Sequence, residues 1–233
     1  MNVLKAIEHE KLSYIQRNTN RLLHLVNQLM DYRRAELGIF ELRPVYANAY
    51  KKVLNCFLNY ENLSKRKDID YNLYTELQDE ELLFDETYLD LIVNNLLSNA
   101  FKYTEKGECI TVRLYKEDNN LVLQVIDTGV GIPAEKQKKI FERFYQAESG
   151  HEGSGIGLSL VQRLVELHHG HITLESKVGE GSTFSIYIPQ DKSMYTSEEL
   201  LAQEEGAKEQ RAYYTNAHDV YIDDEELLET SAL

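Results

Sequence analysis

The hydrophobic positions of the first 38 residues recur at alternating intervals of three and four residues. The repeating positions are Leu12, Ile15, Thr19, Leu22, Val26 and Leu29. This is the heptad spacing of a helix with a coiled-coil seam. Leu23, Leu25 and Met30 widen the stripe, which is typical of a helical bundle, and Gly38 supplies a stop signal. We therefore expect a long helix over about residues 4–37 that buries its stripe against a second copy, or alternatively against its own domain.

Between residues 39 and 84 the spacing of apolar residues changes twice. Alternation over residues 39–43 predicts a strand that ends at Pro44. Residues 45–67 then follow a helical period and predict one helix, whose inward positions are Ala49, Val53, Cys56, Phe57 and Leu63. Residues 68–74 and 82–84 alternate again, and we expect these two strands to pair as a hairpin.

The remaining pattern predicts helices and strands in alternation. Residues 91–104 belong to one buried helix that begins near residue 85, with helical segments also at residues 134–144 and 155–168. Residues 110–115 and 121–126 predict a hairpin joined by turn residues, and residues 171–176 and 183–188 predict two more strands. The expected fold is a two-layer α/β sandwich, in which a mixed β-sheet carries helices on one face.

Composition and charge narrow the possible partners. The 233 residues are 42% hydrophobic, which is enough for a sizeable core, and the net charge of −14 argues against non-specific binding to nucleic acid or anionic membranes. From residue 191 onwards, 12 acidic and 3 basic residues give a net charge of −9, which leaves −5 for the rest. We expect an acidic, partly disordered linker over residues 191–233, with a short helix at residues 197–203.

Neither the two cysteines nor the apolar runs of the sequence indicate a metal site or a membrane-spanning segment. Cys56 and Cys109 are far apart and lack metal-site spacing, so we expect buried thiols in a reducing compartment. No run of about 18 apolar residues occurs, and we expect no direct membrane contact from this chain.

Four polar side chains share one side of the helix over residues 91–104. Asn95 and Asn99 are four residues apart, and Lys102 and Tyr103 follow one turn later. An amide oxygen is a hard, neutral ligand that suits Mg²⁺, and a lysine can neutralise nearby phosphates. The same pattern also fits an amphipathic helix whose asparagines bond to neighbouring backbone.

A short glycine motif follows the second strand of the predicted hairpin. Its residues are Asp127, Gly129 and Gly131. A carboxylate can accept a hydrogen bond from an exocyclic amine such as that of adenine, and glycines let the backbone approach a flat ring closely. The spacing differs from the GxGxxG of dinucleotide-binding proteins. Taken alone, the motif fits an ordinary turn equally well.

A second glycine cluster, Gly153, Gly155 and Gly157, immediately precedes a predicted helix. Backbone N–H groups at a helix N-terminus form an anion site for phosphates. Residues 146–153 before it are polar, so we expect a mobile loop, which would be either a lid over phosphates or an ordinary surface loop.

The order of these motifs resembles the N, G1, F and G2 boxes of sensor histidine kinases. The matching segments are Asn95-x-x-x-Asn99-Ala-x-Lys102-Tyr103, Asp127-x-Gly129-x-Gly131, Phe141-Glu-Arg-Phe144, Gly153-x-Gly155-x-Gly157 and Gly179-Glu-Gly-Ser-Thr183-Phe184. The resemblance covers about residues 40–190. It implies the Bergerat ATP-binding fold, an α/β sandwich with a lid.

The resemblance also implies a role for each matching residue. Asn99 would coordinate Mg²⁺, Asn95 would support it and Lys102 would reach the phosphates, and these three are the expected catalytic residues. Asp127 would bind the adenine amine, and Tyr103 would pack beside the base. The other expected nucleotide-binding residues are Gly129, Gly131, Ile132, Gly155, Gly157, Leu158 and Thr183, the last through water, with Phe141 and Phe144 as anchors of the lid.

Two positions depart from the patterns of related proteins. In the gyrase, mismatch-repair and heat-shock chaperone ATPases, the position of Asn95 holds a glutamate that serves as the base for water. Asn cannot take a proton at neutral pH, so we predict negligible ATP turnover. Many kinases carry an arginine where this chain has Gln146, which weakens the expectation of a phosphate clamp from the lid.

The N-terminal helix resembles the second helix of the dimerisation and phosphoacceptor hairpin of these kinases. The first helix of that hairpin, with its phosphoacceptor histidine, is not in this sequence, and His9 lacks the motif that would make it the acceptor. We therefore expect a piece of a longer protein that does not autophosphorylate alone. His168, His169 and His171 are expected to cap and pack rather than to bind metal.

The sequence as a whole predicts three regions: half a dimerisation hairpin over residues 1–38, an ATP-binding catalytic domain over residues 39–190, and the acidic linker. The predicted function is that of the catalytic domain of a sensor histidine kinase in a two-component phosphorelay, with ATP and Mg²⁺ as cofactors. The expected partners are a second copy, bound through the N-terminal helix, and a response-regulator receiver domain in the parent chain of a hybrid kinase.

The expected location is the cytoplasmic portion of a membrane-anchored bacterial sensor, with no nucleic-acid partner. Two alternatives stay open. One is a nucleotide-gated interaction module without phosphotransfer, and the other is a hydrolytic ATPase of the same fold.

Overall fold

The computed structural model describes residues 42–145 and 155–201, together with the single positions 11, 15, 19, 26 and 30, but not the side chains of Glu198 and Leu201. Its helices are α1 (Ala49–Asn59), α2 (Glu61–Lys67), α3 (Glu86–Tyr103), α4 (Gly157–Leu167) and α5 (Ser197–Leu201). Its strands are β1 (Val45–Asn48), β2 (Asp70–Thr75), β3 (Glu81–Phe84), β4 (Cys109–Glu117), β5 (Asn120–Asp127), β6 (His171–Lys177) and β7 (Gly181–Pro189). Two short 3-10 helices lie at Lys139–Phe141 and Lys192–Met194.

Five strands form one mixed sheet in the order β2-β4-β5-β7-β6. β2 runs parallel to β4, and the other neighbours are antiparallel. Helices α1 and α2 pack against β2, α3 packs against β5, and α4 packs against β6 and β7. Along β5, buried Leu123 and Val125 alternate with half-buried Gln124 and Ile126, because only one face of the sheet lies under the helices. The predicted fold class, a mixed sheet with helices on one face, is confirmed.

Helix α3 forms where the sequence predicts it, because a cap and a buried stripe agree. Asp85 precedes the helix in an extended conformation, and its carboxylate accepts hydrogen bonds from the backbone N–H groups of Thr87 and Tyr88 at 2.9 and 3.1 Å. The buried stripe comprises Tyr88, Leu89, Leu91, Ile92, Val93, Leu96, Leu97, Ala100 and Phe101. This stripe fixes the rotation of α3 about its axis, so the polar residues between its members face a defined direction.

The hairpin of β4 and β5 also follows the prediction. Its turn residues Asp118 and Asn119 both have positive φ, at 45° and 61°, as the tight turn between twisted antiparallel strands requires. Asp and Asn tolerate this left-handed conformation better than other side chains do. The turn fixes the register, in which Ile110 lies opposite Asp127.

The segment before α3 differs from the prediction in two ways. Residues 45–48 form strand β1, and the helix expected over residues 45–67 begins at Ala49, because the Asn48 side chain accepts a hydrogen bond from the Lys51 N–H at 2.8 Å and caps α1. Residues 39–41 of the strand expected before Pro44 lie outside the described residues. The helix is also divided at Tyr60, whose hydroxyl donates to the Asn94 carbonyl of α3 at 3.3 Å.

The expected hairpin between residues 68–74 and 82–84 is wrong. β2 pairs in parallel with β4, and β3 pairs with β1 in a separate two-stranded sheet. Alternation identifies a half-buried strand but carries no information about the partner strand, which depends on the path of the chain through α3.

The helix expected over residues 134–144 is replaced by successive turns and the 3-10 helix Lys139–Phe141. Ile140 is the one buried side chain of that 3-10 helix, and a stripe of one residue cannot anchor a three-turn helix to a core.

The two ends of the chain are described in part. Ile15, Thr19 and Val26 of the predicted heptad are helical and exposed, as are Lys11 and Met30. The other heptad positions, Leu12, Leu22 and Leu29, lie outside the described residues. After β7, α5 matches the expected short helix as far as residue 201, and residues 202–233 of the predicted linker lie outside the description. In the described parts of the chain, none of the helices has the length and apolarity to cross a bilayer.

Packing continues beyond residue 190. Tyr195 is buried in the core, and its hydroxyl donates to the Pro189 carbonyl at 3.1 Å. The folded unit therefore includes the first residues of the acidic region.

Candidate functional site

The N-terminus of α4 lies against the middle of α3. A Cβ atom built on Gly157 would lie 2.7 Å from Oδ1 of Asn95, so a side chain on the first residue of α4 would displace the Asn95 amide. Asn95 is half-buried, and its Nδ2 donates to the Leu91 carbonyl at 2.8 Å, which turns Oδ1 towards α4. Two of the predicted site residues, from different motifs, are thus in direct contact.

The polar residues of α3 continue along one face towards its C-terminus. Asn99 lies one turn beyond Asn95, and its half-buried side chain makes no hydrogen bond to the described residues. Lys102 and Tyr103, both half-buried, follow in the last turn, where Lys102 Nζ lies 4.8 Å from the centroid of the Tyr103 ring. The structure therefore places Asn95, Asn99 and Tyr103 in a row along α3, as the four-residue spacing predicts.

Asp127 ends β5 with only 7% of its surface exposed. Its Oδ1 accepts the backbone N–H of Gly129 at 3.0 Å, and its carboxyl group also accepts the backbone N–H of Ser182. Burial raises the pKa of Asp127 to about 6, and these two hydrogen bonds oppose the rise because they favour the ionised form. At neutral pH the group is a buried carboxylate with acceptor capacity remaining for a ligand.

Glycines are required where the loop after β5 crosses other parts of the backbone. A Cβ atom on Gly129 would overlap the carbonyl oxygen of Tyr103 at the end of α3. Gly131 has a φ of +66°, and a Cβ atom there would overlap the carbonyl oxygen of Lys177 at the end of β6. The loop is thereby fixed between α3 and β6, which brings Asp127 and Tyr103 to the same end of the site.

A serine of β6 ties this loop to the turn before β7. The Ile132 N–H donates to Ser176 Oγ at 2.8 Å, and Ser176 Oγ donates to the Gly181 carbonyl at 2.9 Å. The amide of Gln137 donates to the carbonyls of Ile132 and Ser176 at 3.0 and 2.9 Å. Ile132, one of the expected nucleotide-binding residues, is half-buried and held in place by this network.

The strand register separates Thr183 from Asp127. Ser182 lies directly opposite Asp127, whereas Thr183 lies opposite Ile126. Since directly opposed residues share a face of the sheet, the Ser182 hydroxyl lies on the side of Asp127 and the Thr183 hydroxyl on the other side. Ser182 is thus the hydroxyl beside Asp127, and the role expected for Thr183 stays a prediction. Strand alternation from the buried Phe184 could have distinguished the two adjacent hydroxyls.

The second glycine motif is described only from Gly155 onwards. Gly155 has a φ of +69°, and its carbonyl accepts the Phe144 N–H at 2.9 Å, while Gly157 and the half-buried Leu158 begin α4. Gly153, Gln146 and the expected lid lie outside the described residues. Phe141 is half-buried, but the Phe144 ring is 65% exposed, so its expected role as an anchor receives no support from the described residues.

His168 joins the end of α4 to the beginning of α3. Its ring is fully buried, with Nδ1 2.7 Å from the Leu164 carbonyl and Nε2 accepting the Asp85 N–H at 3.1 Å. Burial lowers the pKa of His168 to about 4, so the ring is neutral at physiological pH. Sequence reasoning treated this histidine as ordinary packing and missed that it connects the two helices of the site.

Comparison with known proteins gives one family match. Residues 84–192 match the family described as histidine kinase-, DNA gyrase B- and HSP90-like ATPases. The chain is 33% identical over 189 residues to the circadian input-output histidine kinase CikA of Synechococcus elongatus, covering 78% of this chain and 25% of CikA. It is 36% identical over 182 residues to the autoinducer 2 sensor kinase/phosphatase LuxQ of Vibrio vulnificus, covering 73% and 21%. The chain thus spans about a quarter or less of the length of these relatives.

Solved structures show the same fold. The full-length ShkA structure in complex with AMPPNP matches with a TM-score of 0.70 and 24% identity, covering 78% of this chain and 38% of ShkA. The histidine kinase ThkA, in complex with the response regulator TrrA, matches with a TM-score of 0.63 and 22% identity, covering 78% and 51%.

Proposed function

Because this chain belongs to the family of histidine kinase-, DNA gyrase B- and HSP90-like ATPases, with a catalytic domain homologous to those of histidine kinases, we propose that it binds Mg-ATP and donates the γ-phosphoryl group to a histidine of an upstream helix. The observation that carries the proposal is the row of polar residues on α3. Asn95 of α3 contacts the N-terminus of α4 at Gly157. Tyr103, eight positions later in α3, contacts the loop that follows Asp127 at Gly129. Eight residues of helix span about 12 Å, a length that suits an extended nucleoside triphosphate.

The Asp127 end of the row would bind the base. A buried carboxylate, held by the N–H groups of Gly129 and Ser182, can accept a hydrogen bond from the exocyclic amine of adenine. Tyr103, at the same end, would pack beside the ring. Because Gly129 and Gly131 have no side chains, the loop can lie close against the backbone of Tyr103 and Lys177. This position of the loop would leave room for the adenine ring.

The other end of the row would bind the triphosphate. Gly155, Gly157 and Leu158 lead into α4, whose first backbone N–H groups suit an anion. Lys102 lies beside Tyr103 in the last turn of α3, and its long side chain would extend along the row towards the phosphates to add a positive charge. Ile132 would line the site between the two ends.

A magnesium ion fits this donor set only together with the nucleotide. Among the described residues, no three His, Cys, Asp or Glu side chains cluster in a way that could hold a metal ion. The Asn99 amide oxygen would be the protein ligand, with phosphate oxygens and water completing the coordination that Mg²⁺ prefers. When bound, the ion would neutralise charge on the phosphates.

The chemistry would rest on positioning rather than on a protein base. Asn95 occupies the position of the hydrolytic glutamate in related ATPases, and an amide cannot remove a proton from water. Asn95 and Asn99 would orient the phosphates while the γ-phosphoryl group passes to an incoming imidazole nitrogen, so hydrolysis should be slow and the group retained for the protein acceptor.

The partners follow from this role. A second copy would bind through the helix over residues 1–38, and a response-regulator receiver domain would accept the phosphoryl group, in the parent chain if that chain is a hybrid kinase. The solved complex of ThkA with the response regulator TrrA supports this partnership, as does the similarity of this chain to the hybrid signal transduction histidine kinase D of Dictyostelium discoideum. We assign residues 39–190 to the catalytic domain and residues 191–233 to the acidic linker, whose first residues pack onto that domain through Tyr195. We assign the whole chain to the cytoplasmic part of a membrane-anchored sensor.

Two other functions use the same site. A nucleotide-gated interaction module would bind Mg-ATP without phosphotransfer, and Gln146 in place of the usual arginine favours it. A hydrolytic ATPase of this fold would need a base, and Asn95 argues against it.

Calorimetric titration with a non-hydrolysable Mg-ATP analogue tests the proposal. The unmodified chain should bind it, Asp127→Asn should lose binding, and Asn99→Ala should lose binding or its dependence on magnesium. A chain that binds no nucleotide would refute the proposal. Adding a hairpin that carries the acceptor histidine then separates a kinase, which phosphorylates it, from an interaction module, which does not. ATP turnover comparable with that of the related ATPases would favour the hydrolytic alternative.

A further inference from the structure

Ser176 of β6 takes part in three hydrogen bonds beside the proposed base-binding end. Its Oγ accepts the Ile132 N–H at 2.8 Å and donates to the Gly181 carbonyl at 2.9 Å. The same Oγ lies 3.0 Å from Oγ of Ser182, a contact in which either hydroxyl could be the donor. Three partners thus surround one hydroxyl group that has a single proton.

Counting protons assigns the direction of the third bond. The Gly181 carbonyl can only accept, and the Ile132 N–H can only donate. If Ser176 gives its proton to Gly181, all three contacts are satisfied only when Ser182 donates to Ser176. If Ser176 instead donates to Ser182, the contact with Gly181 loses its proton. The arrangement that makes every bond therefore uses the Ser182 proton within the protein.

Ser182 then has only lone pairs left for a ligand. It lies opposite Asp127 in the register of β5 and β7, on the same face, and both residues are buried, with 6% and 7% of their surface exposed. Asp127, when ionised, is also an acceptor without a donor. The protein thus presents two neighbouring hydrogen-bond acceptors and no hydroxyl donor at this position.

We infer that Ser176 is a positioning residue that sets base selectivity, because it keeps the Ser182 hydroxyl an acceptor beside Asp127. This inference rests on the proposed function, which places the base here. Two acceptors suit the exocyclic amine of adenine, which has two N–H groups. The carbonyl oxygen that hypoxanthine carries at the same ring position would face acceptors, and a buried polar group without a partner weakens binding.

Comparison of ATP with inosine triphosphate isolates this effect, because the two nucleotides share ribose and phosphates. Calorimetric titrations with both, at a pH of about 8, keep Asp127 ionised, since its pKa is about 6. The unmodified chain should prefer ATP. Ser176→Ala frees the Ser182 proton to donate to the hypoxanthine carbonyl, so the preference should fall about tenfold. Ser176→Thr keeps a hydroxyl at this position and should restore it.

A purely structural role for Ser176 predicts a different result. If the serine only holds the loop, Ser176→Ala weakens both nucleotides equally and leaves their ratio unchanged, which would overturn the inference. Thr173→Ala, which removes an exposed hydroxyl from the other face of the same strand, is the matched control and should leave both affinities unchanged.

A second variant decides the matter if Ser176→Ala does not fold. Ser182→Ala removes the acceptor itself, so it should weaken ATP but not inosine triphosphate, and an unchanged ratio would again overturn the inference. Failure of the unmodified chain to bind ATP would refute the proposed function instead, so the two failures are distinguishable.

Discussion

Replacing His168 tests the junction that holds the beginning of α3 against the end of α4. The ring is fully buried, and the neutral form with its proton on Nδ1 satisfies both partners, because the Leu164 carbonyl can only accept and the Asp85 N–H can only donate. A second proton would place an N–H group of the ring against the Asp85 N–H. The folded state should therefore resist protonation of this histidine.

The pKa of His168 gives the size and sign of the effect. Burial lowers the pKa from 6.5 to about 4, so between these values the unfolded chain binds a proton that the folded chain does not. The contribution of His168 is fully present above pH 6.5 and is lost as the pH falls towards 4. At about 1.4 kcal/mol per pH unit, the loss amounts to at most about 3 kcal/mol.

Two buried carboxyl groups act in the opposite direction. Burial raises the pKa of Asp85 and of Asp127 from 3.8 to about 6, so the folded chain holds protons that the unfolded chain releases between these values. Each favours folding as the pH falls through this range, by up to about 3 kcal/mol. The pH dependence of the unmodified chain is therefore a sum of opposing effects, and only its difference from a variant isolates His168.

Urea unfolding of the unmodified chain and of His168→Gln, between about pH 7.5 and pH 4.5, measures this difference. Far-ultraviolet circular dichroism is the suitable signal because the chain has no tryptophan. A glutamine oxygen can still accept the Asp85 N–H but does not titrate, so the stability advantage of the unmodified chain should shrink by about 2–3 kcal/mol as the pH falls. An advantage that stays constant with pH would refute the reasoning. His171→Gln makes the same change on an exposed ring of β6 and is the matched control.

Three further predictions concern the site itself. Gly129→Ala should lower the free energy of unfolding by about 1–3 kcal/mol, because its Cβ atom would overlap the Tyr103 carbonyl, and urea unfolding measures this loss. The same variant should weaken nucleotide binding, which calorimetry measures. Nucleotide affinity should be constant above about pH 7 and should fall as the pH drops through the Asp127 pKa of about 6, because a proton on the carboxylate competes with the amine of the ligand. Calorimetric titrations at several pH values measure this dependence, which should be absent in Asp127→Asn. Thr183→Ala should change ATP affinity by less than about 0.5 kcal/mol, whereas Ser182→Ala should weaken it about tenfold, as calorimetry can compare.

Each of these predictions has a contrary result. A stable, fully binding Gly129→Ala variant would mean that α3 and the loop can separate without cost. A pH-independent affinity of the unmodified chain would exclude proton competition at Asp127, and a larger effect at Thr183 than at Ser182 would contradict the assignment of their faces.

Local signals predicted the parts of the fold whose causes are local. The cap at Asp85 and the apolar stripe behind it define α3 within a single segment, and the turn at Asp118 and Asn119 defines the register of β4 and β5. Both elements carry residues of the proposed nucleotide site, so the positions of the row along α3 and of the acid at the end of β5 followed from the sequence. Their chemical roles came from the resemblance, because an asparagine or a glycine has many uses.

Features that depend on distant partners did not follow in this way. The pairing of β2 with β4 depends on where α3 returns the chain, and alternation within residues 70–75 cannot encode it. The choice between Ser182 and Thr183 is a register question of the same kind, since a shift of one residue exchanges the faces. The direction of a hydrogen bond at Ser176 requires three partners from separate segments, which no local pattern reveals.

The site depends on α3 being fixed at both ends by different elements. At the beginning of α3, the Asp85 N–H donates to the His168 ring at the end of α4. At the end of α3, the Tyr103 carbonyl accepts the Val130 N–H at 3.3 Å. The loop that contains Val130 can come this close only because residue 129 is glycine. A shift of α3 along its axis would move Asn95 relative to α4 and Tyr103 relative to Asp127 by the same distance. Changes at the His168 junction should therefore affect the phosphate and base ends together, although this junction lies at the beginning of α3, far along the helix from Tyr103. A change confined to the Ser176 network should affect the base end alone.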